Sequence, residues 1–243
     1  MTKKTRGRPV RLPLETLRAK IWYRAVSLAT GLDDRGLQAR FDGEQIYRHD
    51  SKTDWSRKWK NYKEGLNNPR PEKVLRVEAE VPGTAQWHEH FLWHVIRTKP
   101  NSQAEINDLL LAQPQLRDLL FVPCSLNVGK WQRADVTNVL IHQLAALGNF
   151  DGLATLLLFV WESELISSLE LRSMALRGYR MIQEGLRQLP MLQSDLPELL
   201  MLIDSTFPDW VHLSPDKVLR VVIFSQGLPA GYPGVSTEAD TDG

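Results

Sequence analysis

Apolar residues recur with a helical period along most of the chain, and the breaks between those stretches fall at glycine and proline. The clearest case is WSRKWKNYKEGLNNPRPEKVLRVEAEV, residues 55–81. Trp55, Trp59 and Tyr62 stand at i, i+4 and i+7 on one face of a helix, while Ser56, Arg57, Lys60, Asn61 and Lys63 fill the other. Gly65 ends that helix as a left-handed cap. Pro69 and Pro71 bar its continuation, and Pro71 suits the first turn of a new helix with Val74, Val77 and Val81 as its apolar stripe. Upstream, residues 14–30 predict a helix with Leu17, Ile21, Trp22, Val26 and Leu28 on a broad apolar face, stopped by Gly31. Asp33 or Asp34 caps a second, shorter helix that carries Leu37 and Phe41 and ends at Gly43.

From about Gln103 the chain turns leucine-rich and acidic. Helices are expected at 103–112, 114–120, 135–147, 151–189, 196–207 and 214–224, with a break somewhere in the long span, since few globular helices exceed about 25 residues. The most apolar run, 153–161 (LATLLLFVW), falls far short of a membrane span and is followed by Glu162 and Glu164, so it predicts a buried core or interface helix. After Gly227 the chain has turn residues and acids without an apolar period, the composition of a disordered tail. Strand signals are scarce. The pattern therefore predicts an all-α protein: a basic arm at 1–13, a helical domain at 14–98, a second helical domain at 99–226, and a tail at 227–243.

The 55–81 stretch resembles the second half of a Cro/repressor-type (Xre-like) helix-turn-helix domain. That family places an aromatic three residues before a glycine, a proline four residues after it, then apolar residues every third or fourth position; Tyr62, Gly65, Pro69, Val74, Val77 and Val81 occupy those places. The match covers about a tenth of the chain, and about a quarter if the upstream helices belong to it. The resemblance implies that the helix around 55–64 enters the major groove of double-stranded DNA. Ser56, Arg57 and Asn61 would then read base edges, Arg57 bridging a guanine and Asn61 an adenine. Lys60 and Lys63 complete the DNA-facing set, and Trp59 and Tyr62 pack behind it. One feature departs from the family. Between the second helix and the reading helix it expects a turn of three or four residues, whereas residues 42–52 intervene here; either they are an insertion or the second helix is misassigned.

Charge changes the picture because it is unevenly distributed. Residues 1–100 carry 21 Lys+Arg against 12 Asp+Glu, and residues 101–243 carry 9 against 17, so a total of +1 hides halves of +9 and −8. A basic half attracts a polyanion and makes binding salt-dependent. At the N-terminus, Lys3 and Lys4 precede Arg6-Gly7-Arg8-Pro9, which resembles the core of an AT-hook. Arg6 and Arg8 would lie in the narrow, strongly negative minor groove of A·T-rich DNA. No apolar stretch follows these basic residues, so no secretory signal is expected.

Candidate chemistry elsewhere is sparse. The single cysteine, Cys124, excludes an intramolecular disulfide framework and fits a reducing, cytoplasmic setting. Residues 87–94 read WHEHFLWH, which puts His90 and His94 four apart on one helical face. The zincin pattern fails, because the position three after Glu89 is Leu92, and spacing supplies no third ligand. Phosphate-binding loops, the GxSxG elbow and the kinase motifs are missing. Neither catalysis, a cofactor nor a metal is therefore expected. The chain reads as a sequence-specific DNA-binding transcriptional regulator whose second domain forms a homodimer or meets a signal or partner protein. The alternative is a non-catalytic nucleic-acid- or protein-binding subunit of a larger complex, such as a mobile-element or defence system.

Overall fold

The computed structural model describes residues 12–43, 57–124 and 129–207, and the backbone alone of 210–214 and 217–220. The protein is all-α, with two small antiparallel hairpins among the described residues. It divides into two compact units, Met1–Trp93 and His94–Gly243.

In the first unit, α1 (Pro13–Thr30) begins with proline in its first turn and ends at Gly31, whose φ of 68° forms a left-handed cap. In α2 (Asp34–Asp42) the Asp33 carboxylate accepts from the Gly36 N–H at 2.8 Å, satisfying one of the free donors of a helix start. After residues outside the described set come α3 (Lys58–Lys63), α4 (Pro71–Glu80) and α5 (Ala85–Glu89). α6 (Leu92–Arg97) runs across the boundary between the units. The core of the first unit is aromatic. Trp59 of α3 lies between Trp22 of α1 and Phe41 of α2, its ring centroid 5.6 and 5.5 Å from theirs, and Tyr62 meets both indoles edge-on at 5.7 Å. Val26, Leu37, Val74 and Val77 close the cluster. Leu28 does not join the face assigned to it: it is more than half exposed near the end of α1.

The second unit continues through α7 (Gln103–Leu111), α8 (Pro114–Leu120), β1 (Phe121–Pro123), β2 (Trp131–Arg133), α9 (Asn138–Ala146), α10 (Phe150–Leu165), α11 (Leu169–Arg187) and α12 (Leu196–Thr206). α10 is its core, with every residue from Phe150 to Ser163 buried. The expected break in the long span falls at Ile166–Ser168, where Ser167 has a φ of 53° and the Ser168 side chain caps α11. The turn after α9 meets α11 without intervening side chains at Gly148 and Gly185: a Cβ on Gly185 would lie 2.5 Å from the Gly148 Cα.

In place of the helix expected at 214–224, the described residues are extended: β4 (Lys217–Arg220) pairs antiparallel with β3 (Trp210–Ser214), Val211 opposite Leu219, and 215–216 and 221–224 lie outside the described residues. The physical reason is local. Ser214-Pro215-Asp216 is as good a turn sequence as a helix start, and the β-branched and aromatic residues on either side favour strands. The second hairpin pairs Phe121 with Arg133 and Pro123 with Trp131. No helix among the described residues is long and apolar enough to cross a membrane.

Candidate nucleic-acid interface

α3 has two unlike faces. Trp59 and Tyr62 are buried, whereas Arg57, Lys60 and Lys63 are exposed and Asn61 is half-buried. The period of the sequence dictates this division, since the two aromatics three apart share one face. Lys60 reaches Glu64 one turn on, at 3.7 Å, an exposed pair of small energetic weight. The Asn61 carbonyl accepts from the N–H groups of Leu66 at 2.7 Å and Asn67 at 3.2 Å, which closes the helix end. Gly65, at φ 70°, makes the turn; a Cβ there would stand 2.4 Å from Thr16 Cγ2 of α1. Ser56, Arg6, Arg8, Trp55 and residues 44–52 of the intervening segment lie outside the described residues, as does the tail at 227–243.

α3 is fastened to its neighbours through one carboxylate. Asp42, the last residue of α2, accepts from Trp59 Nε1 at 2.8 Å, Lys58 Nζ at 3.3 Å, Lys73 Nζ at 2.8 Å, Arg76 Nη2 at 3.3 Å and Gln38 Nε2 at 3.2 Å. Lys73 and Arg76 of α4 also donate to the Phe41 carbonyl, which has no acceptor role left inside the ended helix. Burial alone would raise the Asp42 carboxyl above the usual range, but the hydrogen bond and charge of Lys73, with Trp59 and Lys58, hold it below. Burial lowers the Lys73 ammonium and Asp42 partly restores it. Lys58 is thereby turned toward α2, which separates it from the outward-facing Arg57, Lys60 and Lys63.

A second polar network fixes the turn that follows α3. His88 of α5 is buried against Trp22. Its Nε2 lies 3.0 Å from Asn68 Oδ1, while the Asn68 amide nitrogen donates to Glu15 Oε2 of α1. That orientation of the amide makes Nε2 the protonated nitrogen. Arg18 of α1 donates to the His88 carbonyl and lies 3.1 Å from Nδ1, and Glu89 Oε1 lies 2.5 Å from the same nitrogen. Burial, with Arg18 beside it, pushes the His88 pKa down, and Glu89 offsets part of that shift.

No family model, curated protein or solved structure matches this chain.

The histidine segment departs from its expected form. His90 ends α5 in an extended conformation and His94 belongs to α6, so the two do not share one helical face. His90 Nδ1 accepts from the Leu92 N–H, a local cap at the corner between the helices. Among the described residues no group of three or more His, Cys, Asp or Glu side chains could hold a metal. Trp93 is buried and its Nε1 donates to the Trp87 carbonyl at 3.0 Å, fastening the same corner. The residues the pattern did not single out are Asp42, Lys73, Arg18 and Asn68, while His88 stood out only as part of the 87–94 histidine run. Of the first four, only Lys73 left a trace in the sequence, as a lysine beside Val74 at the start of an apolar stripe.

Proposed function

We propose that the first unit binds double-stranded DNA by laying α3 in the major groove, and that the protein acts as a transcriptional regulator. The observation that carries this reading is the two-sided α3: an aromatic back locked into the core by Trp22, Phe41 and Asp42, and a front of Arg57, Lys60 and Lys63 open to solvent. Cationic side chains on a short, rigidly held helix are suited to base edges and phosphates together. The basic balance of residues 1–100 supports the same partner. In this reading Arg57 would meet a guanine, Asn61 at the edge of the same face an adenine, and Lys60 and Lys63 phosphate. A homodimer formed through the second unit would suit a two-fold operator, and a cytoplasmic setting goes with that role.

The test is selection of bound duplexes from a random DNA pool at two salt concentrations. An enriched sequence is expected, with Arg57→Ala costing about 1–3 kcal/mol at one base position and Lys63→Ala weakening all sequences alike while lowering the salt slope by about one. Binding without enrichment would sink the sequence-specific reading and leave a nucleic-acid- or protein-binding subunit of a larger complex.

A further inference from the structure

α11 turns Tyr179, Ile182 and Leu186 into the core of the second unit and leaves Arg177, Arg180, Met181 and Glu184 exposed. Arg177 and Glu184 are seven residues apart, which places them about 10.5 Å apart along the helix and within about 20° of one line. Both stand opposite the stripe of Tyr179, Ile182 and Leu186, at the middle of the exposed face. Their contacts within the chain are exposed and of small energetic weight: Arg177 Nη1 donates to Asn138 Oδ1 at 3.3 Å, and Glu184 accepts from Arg187 at 2.9 Å and Gln188 at 3.3 Å. α9 runs beside α11 in the same direction, since Asn138 at its start touches Arg177 and Gly148 just past its end touches Gly185. Val139, next to Asn138, is 68% exposed, and Met181, one turn on from Arg177, is 39% exposed. Either apolar side chain alone is an ordinary surface feature. What distinguishes the face is that its charges complement their own rotated image.

We infer that α11 packs antiparallel on α11 of a second copy of this chain, about a two-fold axis between Arg180 and Met181. Positions 177 and 184 are equally far from that axis, so Arg177 of each copy meets Glu184 of the other. The dimer then holds two such pairs, as a self-complementary two-fold interface requires. Met181 lies beside the axis, so the two Met181 side chains meet, with the two Val139 side chains next to them on the α9 flank. These four apolar groups form the centre of the contact, and the ion pairs on either side of them set its register. Charge also selects the orientation. A parallel pairing would set Arg177 against Arg177 and Glu184 against Glu184, which is repulsive at both ends. The acidic balance of residues 101–243, 9 Lys+Arg against 17 Asp+Glu, disfavours a polyanion on this face.

Sedimentation equilibrium of the full-length protein, without DNA and across micromolar concentrations, tests the pairing. A mass twice the 27.8 kDa of the chain is expected. Arg177→Glu and Glu184→Arg each set like charges across the axis at two places and should weaken the dimer at least about tenfold. Both changes in one chain restore opposite charges and should return most of the lost affinity. Met181→Asp should leave a monomer whose helicity by circular dichroism is unchanged. A monomeric parent chain, a dimer indifferent to either charge reversal, or a double variant no tighter than the single ones would each overturn the proposal. The inference rests on the reading above only in taking the second unit as the dimerising part. No DNA enters the measurement, so its failure is distinct from a failure of α3 to read DNA.

Discussion

Asp42 gathers donors from three helices on one carboxylate, and its partners differ in weight. Lys73 is even more buried than Asp42 itself, whereas Lys58 and Arg76 are about half exposed and contribute little. Asp42→Asn keeps the shape and removes the charge, leaving a buried ammonium opposite an amide. The expected loss is roughly 3 kcal/mol, at the low end for a broken buried pair, and it should appear in denaturant unfolding followed by tryptophan emission. Adding Lys73→Met should recover much of that loss. A single variant as stable as the parent would refute the weight given to the pair. Because its pKa is held below the ordinary value, the stabilisation from Asp42 is complete above about pH 4 and disappears as pH falls through the folded value. His88 works at a higher pH. Its folded pKa is depressed below 6.5, so on acidification the unfolded chain takes up a proton that the folded chain refuses. Stability should therefore fall as pH drops below about 6.5. In His88→Gln, which can still donate to Asn68 and accept from Arg18, the difference in denaturation midpoint between neutral and mildly acid solution should shrink; an unchanged difference would remove His88 from the account.

α3 has six residues, far fewer than an isolated helix needs to persist in water. Its place is set by packing: the Trp59 sandwich, the Asp42 ligature and the turn at Gly65. Gly65→Ala must strain a φ of 70° and drive a methyl group into Thr16, whose backbone oxygen would lie 3.0 Å from the new Cβ. A cost of about 1–3 kcal/mol is expected from a thermal melt, with a parallel loss of DNA affinity if α3 is the reading helix. Most elements were legible in the sequence because their punctuation is chemical. Pro13, Pro71 and Pro114 open three helices, and the side chains of Asp33, Ser102, Thr137, Asn149 and Ser168 cap five others. The two faces of α3 were legible for the same reason, since helical period alone sorts Trp59 and Tyr62 from Arg57, Lys60 and Lys63. Where one signal serves two structures, the reading failed. Ser-Pro-Asp at 214–216 suits a turn as well as a helix start, and the four-residue spacing of His90 and His94 conceals a corner between two helices. The Asp42 and His88 networks left almost no mark, because apart from Gln38 and Glu89 their partners lie 16 to 34 residues away from Asp42 and 20 to 70 from His88, and only the packed fold unites them.

Across the whole molecule the charge division has a consequence for binding that the individual residues do not carry. Residues 1–98 hold 20 Lys+Arg and 12 Asp+Glu, a balance of +8, while residues 99–243 hold 10 and 17, a balance of −7. If the first unit binds DNA, the second is an acidic body tethered beside a polyanion. Its repulsion is long-ranged at low salt and is screened within a Debye length of about 10 Å at 0.1 M. A fragment of residues 1–98, which retains all of α6 (Leu92–Arg97), should therefore bind a random duplex more tightly than the full chain in dilute buffer. The advantage should shrink as salt is added, because both proteins then depend on the same phosphate contacts from α3. The comparison is made after near-ultraviolet circular dichroism has confirmed the packed aromatic cluster of Trp22, Trp59 and Tyr62 in the fragment. A folded fragment that binds DNA no better than the full chain at low salt would mean that the acidic half exerts no electrostatic opposition, and a fragment that binds more weakly would mean that residues beyond 98 contribute to the grip.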